Sequence, residues 1–431
     1  MKLLITLILS LCACVASAQT GGPLTIRITQ GVEGALPIAV VPFEYAGPPL
    51  PQDIAQVIST DLTRSGRFRT MDREDLPARP ADVAQVNFKD WRTVGMDNLV
   101  IGRITATADG GYLVEFRLLD VFTGKQLAGF QIPSHVSNLR LTAHHISDII
   151  FKTLLNIDGA FSTRIAYVTV DRKDAKNSTY RLMIADADGY DSKTILESPQ
   201  PLMSPAWSPD GNRLAYVSFE DRNSAIYVQD VRSGQREKVV SGIGINSSPA
   251  FAPDGSRLAV TRSLEGNPDI YVVDIASKQQ RRLTSHEAID TEAAWAPDGS
   301  AIVFTSDRGG GPQIYQVSPN GGDAKRVTFN LGNYNSRASY SPDGRHLVMV
   351  NGGSGFRIVT LDLKTGVSRT LTGSSLDESP SFAPNGSMII YATMGARGTE
   401  LAAVSIDGTV KQRLALQQGQ VREPAWGPFR K

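Results

Sequence analysis

A short motif recurs at nearly constant intervals through the second half of this chain and constrains its fold more than any other feature. In each copy an aromatic residue is separated by one residue from Pro-Asp-Gly or Pro-Asn-Gly. The sixth copy ends at Pro428, after Trp426 and Gly427. The intervals between the aromatic residues are 44, 44, 45, 42 and 44 positions. A repeat of about 40–45 residues is typical of the blades of a β-propeller. The six aromatic residues are Trp207, Phe251, Trp295, Tyr340, Phe382 and Trp426.

Each repeat has the pattern of four strands. Pro-Asp-Gly suits a tight turn, because Pro presets φ and Gly accepts a positive φ. A β-rich run such as Leu258–Ser263 follows the turn, then an alternating segment such as Ile270–Asp274, then an edge segment such as Arg281–Thr284. Four strands per unit and six units predict an all-β six-bladed propeller over residues 159–431.

The two ends of this region indicate how the ring closes. Residues 165–170 match the second strand of a blade, but no aromatic strand precedes them. The unmatched strand around Trp426 supplies the missing piece, so we expect one blade to combine the first and last strands of the propeller. Such closure protects sheet edges that an open array would expose. We expect the repeated aromatic residues to pack between blades rather than to bind a ligand.

A different pattern precedes the propeller and predicts a small α/β domain over residues 19–158. Apolar residues recur at helical spacing in two segments, which predicts helices, and form short runs in other segments, which predicts strands. The linker to the propeller is expected near Asn156–Ser162. The predicted helices are Pro51–Ser65 and Leu139–Leu155, and the predicted strands are Ile38–Phe43, Asn98–Gly102, Tyr112–Leu119 and Gln126–Ile132.

The first residues have the pattern of a cleavable signal peptide over residues 1–18. A single charge at Lys2 is followed by an apolar run and by Ala16-Ser17-Ala18, the small residues that signal peptidase recognises. Both cysteines, Cys12 and Cys14, lie inside this segment, so the mature chain would contain neither. The alternative is a lipoprotein signal with Cys14 as the lipidated residue. No other run reaches the roughly 20 apolar residues of a spanning helix, and we expect no direct membrane insertion.

Charge and motif searches argue against several functions. With 44 basic and 43 acidic residues, the chain has no bulk attraction for nucleic acid. The nearest match to a nucleophile elbow, Gly352–Phe356, has Phe at the final Gly. His144 and His145 are adjacent on a helix, so their side chains point about 100° apart, and Asp186–Gly189 lacks the closing Glu of a calcium loop. We expect no catalytic, cofactor or metal site; a secreted propeller hydrolase or carbohydrate-binding protein remains the alternative.

The segment before the α/β domain could be a strand for a partner. Leu24–Ile28 alternates apolar and polar residues, and Gln19–Pro23 ahead of it is small and Gly-rich. A β-former at a chain end is well placed for strand addition to another protein. On pattern alone, an edge strand of its own domain is the favoured alternative.

The chain resembles the TolB family of secreted propeller adaptors in the Tol–Pal envelope system. The residues that carry the resemblance are Pro37–Phe43, Ala46–Pro48, Asp61-Leu62 with Ser65-Gly66, Gly159–Phe161 with Thr163–Val168, Ser198–Gly211, Asp377-Glu378 with Ala383–Gly386, and Pro424–Trp426. The resemblance implies a periplasmic adaptor whose propeller mouth binds the lipoprotein Pal and whose amino-terminal peptide binds TolA. It also implies that Pal binding withdraws that peptide, that the system supports outer-membrane integrity and division, and that some colicins exploit the same mouth. We expect a monomer.

Two sets of site residues follow from the resemblance and from propeller geometry. The first is the TolA-binding strand: Leu24, Thr25, Ile26, Arg27 and Ile28. The second is the Pal-binding channel mouth, since the first strand of each blade lines the axis. Glu292 and Glu378 are expected at matching places in two blades, although Ile245 stands where a polar residue is expected. The mouth residues are Met203, Ser204, Asn246, Ser247, Asp290, Thr291, Glu292, Ser336, Arg337, Asp377, Glu378, Arg422 and Glu423.

Export with cleavage after Ala18 is the first testable prediction, because Ala16-Ser17-Ala18 is a well-formed peptidase site. Intact-mass measurement of the protein from the cell envelope should give an unlipidated chain that begins at Gln19. A lipid attached to Cys14 would contradict the prediction.

Overall fold

The computed structural model describes residues 26–30, 34–172, 177–374, 376–396, 398–414 and 419–430, and for residues 26–30 we consider only the backbone. The α/β domain has one five-stranded sheet in the order β3-β2-β4-β5-β6. The first three of these strands are parallel, and β5 and β6 are antiparallel to their neighbours. The elements are β1 (Ile26–Gln30), β2 (Leu36–Val40), α1 (Ile54–Arg64), β3 (Phe68–Thr70), α2 (Phe88–Thr93), β4 (Asn98–Ala106), β5 (Tyr112–Asp120), β6 (Gln126–Ser134) and α3 (Leu139–Leu155).

Capping residues set the ends of the two long helices. Helix α1 begins after Asp53, whose side chain accepts a hydrogen bond from the N–H of Gln56 at 3.1 Å. The predicted start at Pro51 is therefore three residues early, because the cap fixes the first helical residue. Helix α3 has its predicted bounds and ends at Asn156, which adopts the left-handed conformation with φ 55°. The apolar faces of both helices pack on the sheet in one core.

The propeller has six blades, and the structure confirms the predicted architecture. The strand bounds, in chain order, are β7 (Arg164–Arg172), β8 (Ser178–Asp186), β9 (Lys193–Ser198), β10 (Leu202–Trp207), β11 (Arg213–Ser218), β12 (Ala225–Asp230), β13 (Arg236–Val240), β14 (Asn246–Phe251), β15 (Arg257–Arg262), β16 (Asp269–Asp274), β17 (Gln280–Arg282), β18 (Asp290–Trp295), β19 (Ile302–Ser306), β20 (Gln313–Val317), β21 (Lys325–Arg326), β22 (Tyr334–Tyr340), β23 (His346–Gly352), β24 (Phe356–Asp362), β25 (Ser368–Thr370), β26 (Glu378–Phe382), β27 (Met388–Gly395), β28 (Gly398–Ser405), β29 (Lys411–Leu414) and β30 (Gln420–Trp426).

Blades 1 to 5 are formed by four consecutive strands each, from β10–β13 to β26–β29. Blade 6 has the order β30-β7-β8-β9, and β30 pairs antiparallel with β7, with Trp426 opposite Ile165. The ring is therefore closed by hydrogen bonds between the first and last propeller strands, as predicted.

The linker between the two domains is tied to helix α3. The carboxylate of Asp148 accepts hydrogen bonds from the N–H of Phe161 at 2.7 Å and from the N–H of Ser162 at 3.2 Å. Phe161 also packs edge-on against Phe151 of α3, with ring centroids 5.5 Å apart. These contacts fix the path by which the chain leaves α3 and enters β7.

The repeated aromatic residues pack between blades. Arg164 of blade 6 lies 4.9 Å from the ring centroid of Trp207 in blade 1 and donates to the carbonyl of Gly211 at 2.7 Å. Arg213 repeats this arrangement toward blade 2, at 5.5 Å from the ring centroid of Phe251 and 2.8 Å from the carbonyl of Gly255. Each arginine thus connects its own blade to the aromatic side chain and the Pro-Asp-Gly turn of the next blade.

Strand β1 does not join the sheet of the α/β domain. It pairs antiparallel with β29, with Ile26 opposite Leu414 and Ile28 opposite Gln412, and so forms a fifth strand on the outer edge of blade 5. The alternative that pattern alone favoured, an edge strand of its own domain, is therefore wrong. Strand pairing between segments this distant in the chain has no local sequence signal.

Arg213→Ala should lower the free energy of unfolding by about 1–2 kcal/mol, since it removes a cation–π contact and a charged hydrogen bond between blades. Urea unfolding followed by circular dichroism measures the change. Arg232→Ala, at an exposed turn position, is the matched control and should be neutral. Equal stability of the two variants would contradict the proposed inter-blade role.

Candidate protein-binding site at the propeller mouth

The inner strand of every blade is interrupted at the same place by a β-bulge. In each case one non-glycine residue adopts the left-handed conformation, with φ between 50° and 57°, and the strand register shifts there. This conformation costs energy for residues with a Cβ, so six equivalent instances indicate a constraint shared by all blades. The bulge residues are Ser204, Ser248, Glu292, Arg337, Ser379 and Glu423.

Three bulge residues form a charged brace across the channel, which we define as Glu292, Arg337 and Glu423. The Arg337 guanidinium lies 3.7 Å from Glu292 and 3.4 Å from Glu423, and it donates to the hydroxyl of Ser379 at 2.8 Å. The Glu292 carboxylate also accepts a hydrogen bond from the N–H of Arg337 at 2.9 Å. The Glu423 carboxylate accepts from the N–H of Ser204. The brace therefore connects blades 3, 4, 5, 6 and 1.

The brace keeps Arg337 charged. Burial alone would lower the pKa of its guanidinium, but the carboxylates of Glu423, Glu292 and Glu378 raise that pKa above its ordinary value. The two carboxylates of the brace are in turn held by charge-assisted hydrogen bonds, which are stronger than neutral ones. These predicted site residues thus stabilise the channel, and cavities on both sides of the bulges are lined by them.

Three predicted mouth residues that lie two positions before a bulge residue are buried behind the rim: Asn246, Asp290 and Asp377. Asp290 accepts two hydrogen bonds from Arg308, at 2.9 and 2.7 Å, and Asp377 accepts one from the hydroxyl of Thr393 at 2.6 Å. The amide group of Asn246 donates to a backbone carbonyl at 2.9 Å. In this arrangement their side chains hold the rim loops rather than face a partner.

Residues one step above the bulge are more accessible in most blades. Met203 is exposed, Ser247, Thr291, Glu378 and Arg422 are half-buried, and Ser336 is buried. Glu292 and Glu378 are not at matching places, because Glu292 is a bulge residue and Glu378 occupies the position of Thr291 in its blade. The two acids therefore differ in role: Glu292 belongs to the brace and Glu378 to the rim.

Exposed apolar side chains lie at the mouth end of the blades, most of them in loops that enter the inner strands. Ile243 is 85% exposed and Phe329 is 62% exposed, while Leu264 and Met394 lie at the connection between the second and third strands of their blades. A cavity of about 350 Å³ opens beside them and is lined by Met203 and Ile245, among others. The sequence reasoning missed this set, although apolar residues just before several inner strands, such as Ile245 before β14 and Ile289 before β18, were a visible signal. We define the apolar rim as Ile243, Ile245, Leu264, Ile289, Phe329, Leu376 and Met394.

The predicted partner strand lies at the edge of blade 5. Ile26, Arg27 and Ile28 pair with Leu414, Arg413 and Gln412, whereas Leu24 and Thr25 lie outside the described residues. Leu414 also pairs with Leu401, near the mouth end of β28. The amino-terminal end of β1 therefore lies toward the same face of the propeller as the apolar rim.

Within the part of the chain that the structure describes, one group of potential metal ligands occurs: Asp61, His144 and Asp188, within 4.8 Å of one another. Both carboxylates are already paired with guanidinium groups, of Arg64 and Arg140. The two His144 nitrogens face different carboxylates, Nδ1 toward Asp61 and Nε2 toward Asp188. The five side chains thus form a network of charged groups. Among the described helices, none is long and apolar enough to cross a membrane.

The fold and these surfaces define a class, the two-domain β-propeller proteins whose candidate site is an exposed rim and an edge strand. Family models described as the TolB amino-terminal domain and the TolB beta propeller domain match residues 24–127 and 151–430. The chain therefore belongs to the TolB family.

Relatives along almost the full length agree with this assignment. The Tol-Pal system protein TolB of Thioalkalivibrio sulfidiphilus is 56% identical over 432 residues, covering 99% of this chain and 98% of the relative. The protein of the same name from Xanthomonas campestris pv. campestris is 56% identical over 421 residues, covering 96% and 95%. The crystal structure of TolB from Acinetobacter baumannii has 42% identity and a TM-score of 0.87, and the match covers 94% of this chain and 100% of that one.

Arg337→Met should destabilise the propeller, because it leaves Glu292 and Glu423 without their shared cation. The loss should lie between about 1 kcal/mol for an exposed pair and about 3–5 kcal/mol for a buried one. Urea unfolding measures it. Arg422→Met is the matched control, since the Arg422 guanidinium donates to the neutral amide of Gln420 at 3.5 Å. Equal losses in the two variants would contradict the brace.

Proposed function

We propose that this protein is a periplasmic adaptor of the Tol–Pal system, which binds the lipoprotein Pal at the propeller mouth and TolA through its amino-terminal strand. The relatives carry the name of that system. In this role the protein supports outer-membrane integrity and envelope constriction during division. Colicin translocation peptides would use the same mouth.

The apolar rim is the observation that carries the proposal for Pal. Large exposed apolar side chains, such as Ile243 and Phe329, lie at the same end of the channel as the half-buried acid Glu378. A contiguous apolar patch bordered by polar residues is characteristic of protein-binding surfaces. Anchoring aromatic residues typically dominate the affinity of such interfaces, with polar groups fixing the orientation of the partner.

The pairing of β1 supports the proposal for TolA. A strand held at a sheet edge by backbone hydrogen bonds can exchange that partner for a strand of another protein, because main-chain groups supply the affinity in both cases. The pairing with β29 is then the withdrawn state of the peptide, and release from β29 is the state that TolA captures. Because the amino-terminal end of β1 lies toward the rim, occupation of the mouth can favour the paired state.

Two variants test the two surfaces independently in the full mature chain. Deletion of residues 19–28 should abolish TolA binding and leave Pal binding intact. Glu378→Lys combined with Phe329→Ala should weaken Pal binding at least about tenfold, as expected when an anchor and a rim charge are lost, and leave TolA binding intact. Titration calorimetry against purified Pal and the TolA binding domain measures both affinities.

Phe122→Ala provides the matched control, since Phe122 is an exposed phenylalanine of the α/β domain, away from the propeller mouth. It should change neither affinity. Loss of both partners on deletion of residues 19–28 would show that β1 is needed for the fold. Unchanged Pal affinity in the folded rim variant would move the Pal site away from the mouth.

A further inference from the structure

A buried ion network joins the α/β domain to the propeller. Helix α1 contributes Asp61 and Arg64, helix α3 contributes Arg140 and His144, and the turn after β8 contributes Asp188. The side chains of Asp61 and His144 are 1% exposed, and that of Asp188 is 4% exposed. Charged groups are rarely buried this completely unless they are paired, so the network is an organised part of the interface.

His144 lies between two carboxylates that belong to different domains. Its Nδ1 atom is 2.7 Å from Asp61 Oδ2, and its Nε2 atom is 3.8 Å from Asp188 Oδ2. Nε2 is buried and has no hydrogen-bond partner among the described residues. Neutral imidazole has one N–H and one acceptor nitrogen. The acceptor nitrogen would face a carboxylate oxygen, which is also an acceptor, so no hydrogen bond could form between them. Only the imidazolium presents an N–H to both carboxylates.

Each carboxylate that flanks His144 also pairs with a guanidinium group. Arg64 pairs with Asp61 at 3.1 Å and donates to the carbonyl of Ala187 at 3.4 Å, while Arg140 pairs with Asp188. A further carboxylate, Asp148 on α3, interacts electrostatically with Asp61, and burial raises the pKa of Asp148. The imidazole ring therefore lies inside a network of charged groups contributed by both domains.

We propose that His144 is a proton-dependent clasp between the two domains: the imidazolium docks the α/β domain on the propeller, and its deprotonation weakens that docking. The clasp spans the interface directly, because Asp61 is on α1 and Asp188 is on the propeller. The proposed clasp does not depend on which partners the protein binds.

The direction of the pH dependence follows from the environment of the ring. Burial lowers the pKa of His144, but the carboxylates of Asp61 and Asp188 outweigh both burial and the opposing charge of Arg64, so the net pKa is raised. The docking free energy from the clasp is therefore fully present below the ordinary histidine pKa of about 6.5. It is lost as pH rises through the raised pKa, when the docked domain would lose its proton.

Hydrogen exchange of the mature full chain, from about pH 5.5 to about pH 9 and corrected for intrinsic rates, tests the clasp. In the wild type, protection of the amides of residues 187–190 should fall above about pH 6.5, by about tenfold for each unit by which the pKa is raised. His144→Gln should have lower protection and no such pH dependence. His145→Gln is the matched control, because His145 is the exposed neighbour on the same helix, and it should behave as the wild type.

A wild type without pH dependence, or a His144→Gln variant with the wild-type profile, would overturn the proposal. If His144→Gln does not fold, Asp188→Asn carries the test, since it removes only the carboxylate on the propeller side. Its pH midpoint should lie below that of the wild type, because one of the two charges that raise the His144 pKa is gone. An unchanged midpoint would equally overturn the clasp.

Discussion

Pairing between β30 and β7 is the interaction on which the rest of the structure depends. It places the last strand of the chain inside blade 6, with Trp426 opposite Ile165, and so turns six blades into a closed ring. Closure brings the six bulge residues to one axis, where Arg337 of blade 4 reaches Glu423 of blade 6. It also fixes the start of β7, which follows the linker. Because Asp148 of α3 accepts a hydrogen bond from the linker, the α/β domain has a defined position relative to the propeller.

The ring then separates stability from recognition. Residues at the bulges and just above them, such as Glu292 and Asp290, are paired within the propeller and pin its inner strands. The apolar side chains lie one loop further out, where a partner can cover them. The same separation applies at blade 5, where β29 completes the blade and its outer edge remains available to β1. The candidate binding surfaces thus lie at the edges of a propeller whose inner charged and polar side chains are paired with one another.

Local patterns predicted the parts of the fold that local physics determines. Helix α3 has its predicted bounds because its apolar periodicity and its left-handed end at Asn156 are both encoded in adjacent residues. The blade count and closure followed from the repeat. The different positions of Glu292 and Glu378 were also visible in the repeat, because they precede Trp295 and Phe382 by three and four residues. The pairing of Ile26–Gln30 with β29 and the contact of Asp188 with His144 could not be predicted. Each depends on segments far apart in the chain, for which one sequence carries no signal.

Exchange of β1 between β29 and a partner can be followed by hydrogen exchange of β29, Lys411–Leu414, with and without the TolA binding domain. We expect the β29 amides that face β1 to lose protection when TolA binds, because β1 then leaves the blade edge, whereas the amides that face β28 stay protected. Unchanged protection of every β29 amide in the TolA complex would show that TolA binds without displacing β1.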